Sequence, residues 1–178
     1  MLEHELVEKA RAGNRSAMEQ LLSDSYHIVY GYILKLSMNE DVAKDITQEV
    51  MVKAISHIRS FKGESKFSTW LVSIASNTYK DSLRKNRAIP TEMEVLDAVP
   101  TGDTEDAVIQ MEHIRKLKGS LLELPESQRK AFILKHYYNY SYEEIAKILK
   151  CPIGTVRSKL HYCIFKLKKI MDGVNEND

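Results

Sequence analysis

The residues best suited to binding another molecule lie in a run near the end of the sequence. Between Lys150 and Met171 the chain contains no Asp or Glu. On a helical wheel, at about 100° per residue, one arc of this run is polar and cationic. That arc carries Arg157, Ser158, Lys159, His161, Tyr162, Lys166, Lys168 and Lys169. The opposite, apolar arc carries Val156, Leu160, Cys163, Ile164, Leu167, Ile170 and Met171. A cationic helix face without acids can enter the major groove of DNA.

A shorter helix precedes this one, and a tight turn joins the two. Ser141 and Glu144 have the spacing of a capping box, which predicts a helix that begins at Tyr142. Pro152 ends that helix because it restricts the residue before it and cannot donate a hydrogen bond. The second helix is predicted to begin near residues 154–155. This arrangement indicates a helix-turn-helix that binds duplex DNA.

An alternative is a basic helix end that is merely solvated. Cations near the carboxyl end of a helix are favoured by its dipole, which would account for Lys166, Lys168 and Lys169. It would not account for the capped helix and the short turn before it. We therefore favour DNA binding.

Bulk composition limits the other possibilities. The chain has 178 residues and a formal net charge of +1, so any DNA contact must be local rather than a general coating of nucleic acid. It has no apolar run of about 18 residues that could cross a membrane. Charged residues occupy the amino terminus, where a signal peptide needs an apolar core. We expect a cytoplasmic protein.

Two cysteines are too few for a disulfide framework. Cys151 falls in the predicted turn and Cys163 on the apolar arc. A zinc site with His161 would lack paired ligands at a usable spacing. We expect no metal or other cofactor, and we interpret both cysteines as small packing residues.

The composition changes once along the chain, in residues 90–108. This segment has no Lys or Arg, and its acids are Glu92, Glu94, Asp97, Asp103, Glu105 and Asp106. Its turn-forming residues are Pro90, Pro100 and Gly102. No helical or strand period persists there, so we interpret it as an acidic linker. The predicted organisation is a domain over 1–89, the linker over 90–108 and a helix-turn-helix domain over 109–178.

The fold class is predicted to be all-α. Before the linker, apolar residues recur three or four apart in four segments, a pattern typical of an antiparallel bundle. The helices are expected over 2–12, from Ser16 with a capping box to Glu19, after Asn39, and from within 65–68. The inward side of the second helix is predicted to include Tyr26. The inward side of the third is predicted to be Val42, Ile46, Val50, Ala54, Ile55 and Ile58.

Two outer faces of this bundle carry groups suited to contacts with partners. The third helix presents Glu40, Asp41, Asp45, Gln48 and Glu49. Acids in its first turn suit the helix dipole without any partner, an explanation that does not extend to the last two residues. The fourth helix presents Asn77, Lys80, Arg84, Lys85 and Arg87. Its cations could follow DNA phosphates, although a solvated basic face is an equal alternative.

At four places the sequence resembles bacterial extracytoplasmic-function (ECF) sigma factors, the small initiation factors of the sigma-70 type. The segments are Asp45–Val50 (DITQEV), Phe67–Asn77 (FSTWLVSIASN), Ser141–Ala146 (SYEEIA) and Gly154–Leu160 (GTVRSKL). Their order and spacing follow the family over nearly the whole chain. The resemblance implies a dissociable subunit of RNA polymerase with no catalytic residue. It also implies a partner set of core RNA polymerase, promoter DNA as duplex and as melted non-template strand, and an anti-sigma factor. We expect a monomer when free, and no small-molecule substrate.

The resemblance also implies roles for residues that match its motifs. Contact with the clamp helices of the largest polymerase subunit falls to Asp45, Gln48 and Glu49. Recognition and melting of the minus-ten element fall to Lys66, Asn77, Lys80, Arg84 and Arg87, with the loop Lys62–Lys66 as the pocket for a flipped base. Recognition of the minus-thirty-five element falls to Thr155, Arg157, Ser158, Lys159, His161, Tyr162 and Lys166. Within this last set Arg157 is suited to guanine, whereas Lys159 and Lys166 are suited to phosphates.

The recognition helix departs from the family pattern at two positions. Members commonly carry Arg or Lys where this chain has Tyr162 and Ile164. Phe165 also lies on or near the polar arc, unless it packs on a neighbouring helix predicted over Ser127–Tyr138. These differences bear on base preference more than on the fold. Because the sequence stops soon after Lys169, we expect no further regulatory domain there.

Two rival functions remain to be weighed. A stand-alone helix-turn-helix regulator would bind duplex DNA tightly by itself, often as a dimer on half-sites about one turn apart. Asp45, Gln48, Glu49 and Asn77 argue against it. An enzyme is disfavoured because the six histidines are scattered and the sequence has no phosphate-binding glycine loop, paired-carboxylate site or nucleophile motif.

Overall fold

The computed structural model describes residues 2–86 and 119–171. The chain divides into two compact units, Met1–Val95 and Leu96–Asp178, and each is described by itself. The described residues are helical, with connecting turns and no strand, so the all-α prediction is confirmed. No helix among them is long and apolar enough to cross a membrane. The predicted linker, 90–108, lies outside the described residues.

The described part of the amino-terminal unit, 2–86, contains four helices and one turn of 3₁₀ helix. They are α1 (Glu3–Arg11), α2 (Arg15–Ser37), α3 (Glu40–His57), the 3₁₀ turn (Ile58–Ser60) and α4 (Phe67–Asn86). All four helices predicted from apolar spacing are present. The helices α2, α3 and α4 pack against each other, and α1 packs against α2.

The predicted start of α2 was wrong by one residue, and so was its cap. The N-cap is Asn14, whose side-chain oxygen accepts a hydrogen bond of 2.9 Å from the Ala17 amide. Ser16 therefore lies inside the first turn, and no capping box to Glu19 forms. Glu19 instead pairs with Arg15, Nε to Oε1, at 2.8 Å. An Asn just before the first turn satisfies the same free amide that the predicted serine would have reached.

The turn between α2 and α3 follows the predicted pattern. Met38 ends α2 in the left-handed region, at φ 52°. Asn39 then caps α3 by accepting a hydrogen bond of 2.9 Å from Val42 N. The α3 helix therefore starts immediately after Asn39, as predicted.

The core of the amino-terminal unit is apolar and closed. Its fully buried side chains include Val29, Tyr32, Ile33, Leu36, Val50, Phe67 and Leu71. Two predicted core residues are in fact exposed. Tyr26 is 43% exposed and stacks on Tyr30, with the ring centroids 6.1 Å apart. Ile55 is 53% exposed because it lies about 100° around the helix from buried Ala54.

In the described part of the carboxyl-terminal unit, 119–171, three helices pack around their own core. A helical turn at 119–123 is followed by α5 (Glu126–His136), α6 (Tyr142–Leu149) and α7 (Ile153–Met171). Its fully buried residues include Ile133, Leu134, Ile145, Val156 and Cys163.

The helix-turn-helix forms as predicted, with one shift. The capping box is complete: Ser141 N donates to Glu144 Oε2 at 2.8 Å, and Glu144 N donates to Ser141 Oγ at 3.1 Å. The predicted start of α7 was late, because the carbonyl of Pro152 already accepts hydrogen bonds from Thr155 N and Val156 N. The helix therefore begins at residue 153.

Candidate functional site

The polar face of α3 is brought together as the sequence predicted. Asp45, Gln48 and Glu49 are all exposed, and their spacing places them on one side of the helix. Ile46 and Thr47, between them in sequence, are buried. A macromolecular partner could therefore reach the polar side chains without disturbing the core.

The acids at the start of α3 have partners within the helix. Lys44 Nζ lies 3.6 Å from a carboxylate oxygen of Glu40 and 3.9 Å from one of Asp41. These acids also lie in the first turn, where they complement the helix dipole. By contrast, Asp45 and Gln48 make no side-chain hydrogen bond or ion pair with any described residue.

A hydrogen-bonded bridge connects this face of α3 to α4. Lys53 Nζ pairs with Glu49 Oε1 at 2.7 Å and donates a hydrogen bond of 3.0 Å to Thr78 Oγ1. The Thr78 side chain is buried, and its neighbour Asn77 is exposed. The bridge therefore links the acidic face to the segment predicted to capture DNA. Nothing in the sequence pattern pointed to Lys53.

Buried polar contacts fix α4 against α2. Tyr79 Oη donates to the carbonyl of Leu36 at 3.2 Å, and Tyr32 Oη donates to Ser76 Oγ at 3.4 Å. With this side turned inward, Asn77, Lys80 and Arg84 are exposed, at spacings of three and four residues. Their arrangement gives a polar and cationic ridge along α4, which suits a nucleic-acid backbone. Arg87, also predicted to contact DNA, lies outside the described residues.

The loop before α4 projects from an aromatic cluster. Lys62–Lys66 is exposed, and Gly63 has φ 75°, a conformation that glycine adopts without steric cost. The rings of Phe61, Phe67 and Trp70 lie beside it, with centroids 5.1 to 5.7 Å apart. Trp70 is half-buried. Phe61 and Phe67 are buried, so Trp70 is the ring of this cluster that could stack with a base.

On α7 the wheel prediction holds for most positions. Val156, Leu160, Cys163 and Leu167 are buried. Arg157, Ser158, His161, Tyr162 and Lys168 are exposed. The prediction was wrong for Ile164, which is 39% exposed. It lies about 100° around the helix from buried Cys163. The side chains of Ile170 and Met171 are not among those described.

Three of the predicted DNA-contacting residues are less accessible. Thr155, Lys159 and Lys166 are half-buried. Lys166 Nζ lies 3.5 Å from the carbonyl oxygen of Glu123, at the end of the helical turn 119–123. That contact directs its ammonium group toward the body of the unit. A cation near the last carbonyls of a helix is favoured by the helix dipole, independent of DNA.

Aromatic rings add to the outer face of α7. Phe165 is 53% exposed, which agrees with its predicted place on or near the polar arc, and its ring centroid lies 5.2 Å from Lys169 Nζ. The Arg157 guanidinium lies 5.9 Å from the ring centroid of Tyr142, which belongs to α6.

The predicted boundaries of α5 are close to those observed, Glu126–His136.

Cys163 is a packing residue, as predicted. It is fully buried, and its thiol donates a hydrogen bond of 3.4 Å to the carbonyl of Gln128. Burial raises the pKa of this thiol to about 11, while its backbone hydrogen bond opposes the rise. Among the residues that the structure describes, no three His, Cys, Asp or Glu side chains converge as metal ligands.

Comparison with known proteins matches each unit to a family. Residues 21–89 match Sigma-70 region 2, and residues 114–161 match Sigma-70, region 4. Among curated proteins, the RNA polymerase sigma-H factor of Pseudomonas aeruginosa is 32% identical over 96% of this chain and 92% of its own. The ECF RNA polymerase sigma-E factor of Escherichia coli K12 is 34% identical over 94% of this chain and 91% of its own.

Solved structures give the same fold. The sigma factor RpoE of Bartonella quintana, in complex with the anti-sigma factor NepR, matches with a TM-score of 0.71 and 25% identity over 88% of this chain and 98% of that one. CnrH, in complex with the cytosolic domain of CnrY, matches with a TM-score of 0.71 and 19% identity over 97% and 99%. The second likeness concerns the fold alone.

The two family regions follow one another along the chain in the order that the motifs predicted, and the curated relatives match over nearly the whole chain. Sigma factors are initiation factors rather than enzymes. The chain belongs to the extracytoplasmic-function group of the sigma-70 family, and it is an alternative sigma factor that acts in promoter recognition.

Proposed function

We propose that the chain divides its work between a domain over residues 1–89 and one over 109–178, joined by the acidic linker. The first binds core polymerase and opens the minus-ten element. The second binds the minus-thirty-five element as duplex. The chain itself carries no catalytic residue and takes no cofactor. It acts in the cytoplasm, where RNA polymerase is found, and is a monomer when free.

One observation carries this proposal for the amino-terminal domain. Every residue there that a sigma-factor motif assigns to a partner, and that the structure describes, is exposed. The polymerase contact is Asp45, Gln48 and Glu49, and the minus-ten contact is Lys66, Asn77, Lys80 and Arg84. Arg87 completes the second set. A stand-alone regulator would have no need for both faces.

The melted strand is captured at the loop Lys62–Lys66 and the neighbouring aromatic cluster. Flipping a base costs a few kcal/mol, and stacking on an aromatic ring returns about 1–3 kcal/mol per base. The half-buried Trp70 ring is therefore the natural platform beside the loop. Asn77 holds the strand next to it, and Lys80 and Arg84 neutralise phosphates.

The minus-thirty-five element is read by the exposed arc of α7. Arg157 makes the base contact, with Ser158, His161 and Tyr162 on the same face. Thr155 and Lys159 lie at its edge and contact the backbone. Lys166 contributes least, because its ammonium is directed to Glu123 O. In this assignment the base contact provides sequence specificity, and the backbone contacts position the helix on the DNA.

An anti-sigma factor is the proposed regulator. The sigma factor RpoE of Bartonella quintana, which is similar to this chain, was solved in complex with the anti-sigma factor NepR. A partner that covered the acidic face of α3 would block polymerase binding directly. This predicts competition between such a partner and core polymerase.

The assignment of Arg157 can be tested with reconstituted holoenzyme. Run-off transcription from a randomised promoter library first selects the strongest promoter. Variants of this promoter, each with one base pair of the minus-thirty-five element changed, are then transcribed. Arg157→Ala is expected to abolish discrimination at one position, worth about 1–3 kcal/mol. Lys168→Ala, an exposed cation on the same helix, is the control and should preserve the pattern. Equal loss on all promoters would contradict base readout by Arg157.

A further inference from the structure

The ring of Tyr142 lies between two elements of the carboxyl-terminal unit and contacts cations from both. Arg157 Cζ of α7 is 5.9 Å from the ring centroid, and Lys135 Nζ of α5 is 5.2 Å from it. Both distances fall within the range of a cation–π interaction, about 6 Å. Lys135 is also held by a hydrogen bond of 3.3 Å to the carbonyl of Tyr140.

Arg157 has no competing restraint among the described residues. It is exposed and makes no ion pair or hydrogen bond there, and α7 itself carries no acid. A free arginine side chain samples many rotamers, and ordering it on DNA costs conformational entropy. A contact with an aromatic ring that already selects one rotamer of the arginine lowers this entropy cost and so favours DNA binding.

The position of the ring is itself well defined. Tyr142 is the first residue of α6, and the capping box of Ser141 and Glu144 fixes that first turn. The helix behind it is anchored by Ile145 and Ile148, both buried. The tyrosine is half-buried, which limits its motion further. The ring is thus a fixed platform, and the arginine is the movable part.

We propose that Tyr142 is a positioning residue for promoter recognition, which holds the Arg157 guanidinium ready to contact a base. It makes no base contact itself and acts through the arginine. This inference rests on the proposed role of Arg157. The contribution of a cation–π contact at an exposed site corresponds to about a two- to five-fold effect on discrimination.

The test compares Tyr142→Leu, which removes the ring, with Tyr142→Phe, which keeps it. Holoenzyme is reconstituted with each full-length chain, and the strongest promoter from the randomised library is transcribed together with its single base-pair variants. Tyr142→Leu is expected to weaken discrimination about two- to five-fold at the position that Arg157→Ala affects, and nowhere else. Tyr142→Phe should match the wild type. Adding Tyr142→Leu to Arg157→Ala should cause no further loss.

A second measurement does not depend on transcription. In NMR spectra of the free chain, the Arg157 side-chain protons should show an aromatic ring-current shift in the wild type and in Tyr142→Phe, and should lose it in Tyr142→Leu. Absence of the shift in the wild type would overturn the proposal, even if the leucine variant failed to fold.

The base contact by Arg157 and its positioning by Tyr142 can be contradicted separately. If Arg157→Ala removes no position-specific discrimination, the base contact and its positioning are both wrong. If Arg157→Ala does so but Tyr142→Leu leaves that position unchanged, or weakens all promoters equally, only the positioning role is wrong. Matching loss in Tyr142→Phe would also overturn it, because that variant keeps the ring.

Discussion

Lys53 Nζ donates a hydrogen bond of 3.0 Å to Thr78 Oγ1 and so joins two helices for which we propose different partners. On α3 the same ammonium pairs with Glu49, in the face assigned to polymerase. On α4 the threonine directly follows Asn77, in the segment proposed to capture DNA. Lys53 therefore connects the face proposed to bind polymerase with the segment proposed to bind the melted strand.

Removing that bridge should destabilise the amino-terminal unit. Lys53→Met leaves the buried Thr78 hydroxyl without this donor, which costs about 1–3 kcal/mol. Trp70, the one tryptophan of the chain, reports unfolding of this unit by its fluorescence in urea. Thr78→Val alone and combined with Lys53→Met completes a double-mutant cycle. Non-additive losses are expected, and strictly additive ones would show that the two residues do not interact in solution.

Glu3 should stabilise the start of α4, next to the loop proposed to capture DNA. Glu3 Oε1 accepts a hydrogen bond of 2.9 Å from the Phe67 amide, the first residue of α4. A carboxylate at a helix amino terminus satisfies a free donor and complements the dipole. Glu3→Ala should lower the free energy of unfolding by about 1 kcal/mol, measured by Trp70 fluorescence. Glu5→Ala, in the same turn of α1, is the control. Equal effects of the two changes would argue against a specific cap.

Strand capture should depend on Asn77 more than initial binding does. Asn77→Ala is expected to lower formation of the open complex, followed by a fluorescent base within the minus-ten element, while contact with closed duplex promoter persists. Lys80→Ala should instead weaken binding more uniformly and reduce its salt dependence, because it removes a phosphate contact. Normal melting by the Asn77 variant would count against this assignment.

The two thiols should differ in reactivity and in their response to alkali. Burial raises the pKa of Cys163 to about 11 from an ordinary value of 9.0, so its thiolate population at neutral pH is about 100-fold lower. The raised pKa means that the buried thiol stabilises the fold fully below pH 9, and that this contribution is lost as pH rises through about 11. In a Cys151→Ser variant, maleimide labelling should be slow at pH 7.5 and accelerate as the unit opens. Rapid labelling at pH 7.5 would contradict the burial.

The sequence predicted most of the helices because their signals are local. Asn39, the capping box at Ser141 and Pro152 each act within a few residues of the boundary they set. The exposed sets on α3 and α4 also followed from spacing alone. Spacing alone did not predict the exposure of residues at the edge of an apolar arc. Whether Ile55 or Ile164 is covered depends on where a neighbouring helix packs.

Contacts between distant residues were not predictable in this way. The bonds from Glu3 to Phe67 and from Lys53 to Thr78 span 64 and 25 residues. No periodicity encodes such a pair, because a helical period relates only residues a few positions apart. Tyr142 likewise gave a signal only as the start of α6. Its relation to Arg157 required the turn to bring the two helices together.

The most direct test of the whole assignment is co-migration of the chain with bacterial core RNA polymerase on size-exclusion chromatography at moderate salt. The wild type should form a stoichiometric complex. Asp45→Ala with Gln48→Ala should prevent it without loss of helicity, since neither side chain supports the fold. Glu40→Ala with Asp41→Ala, on the same helix, should leave the complex intact. Separate elution of the wild type, together with tight duplex binding by the chain alone, would contradict the polymerase assignment and favour a stand-alone regulator.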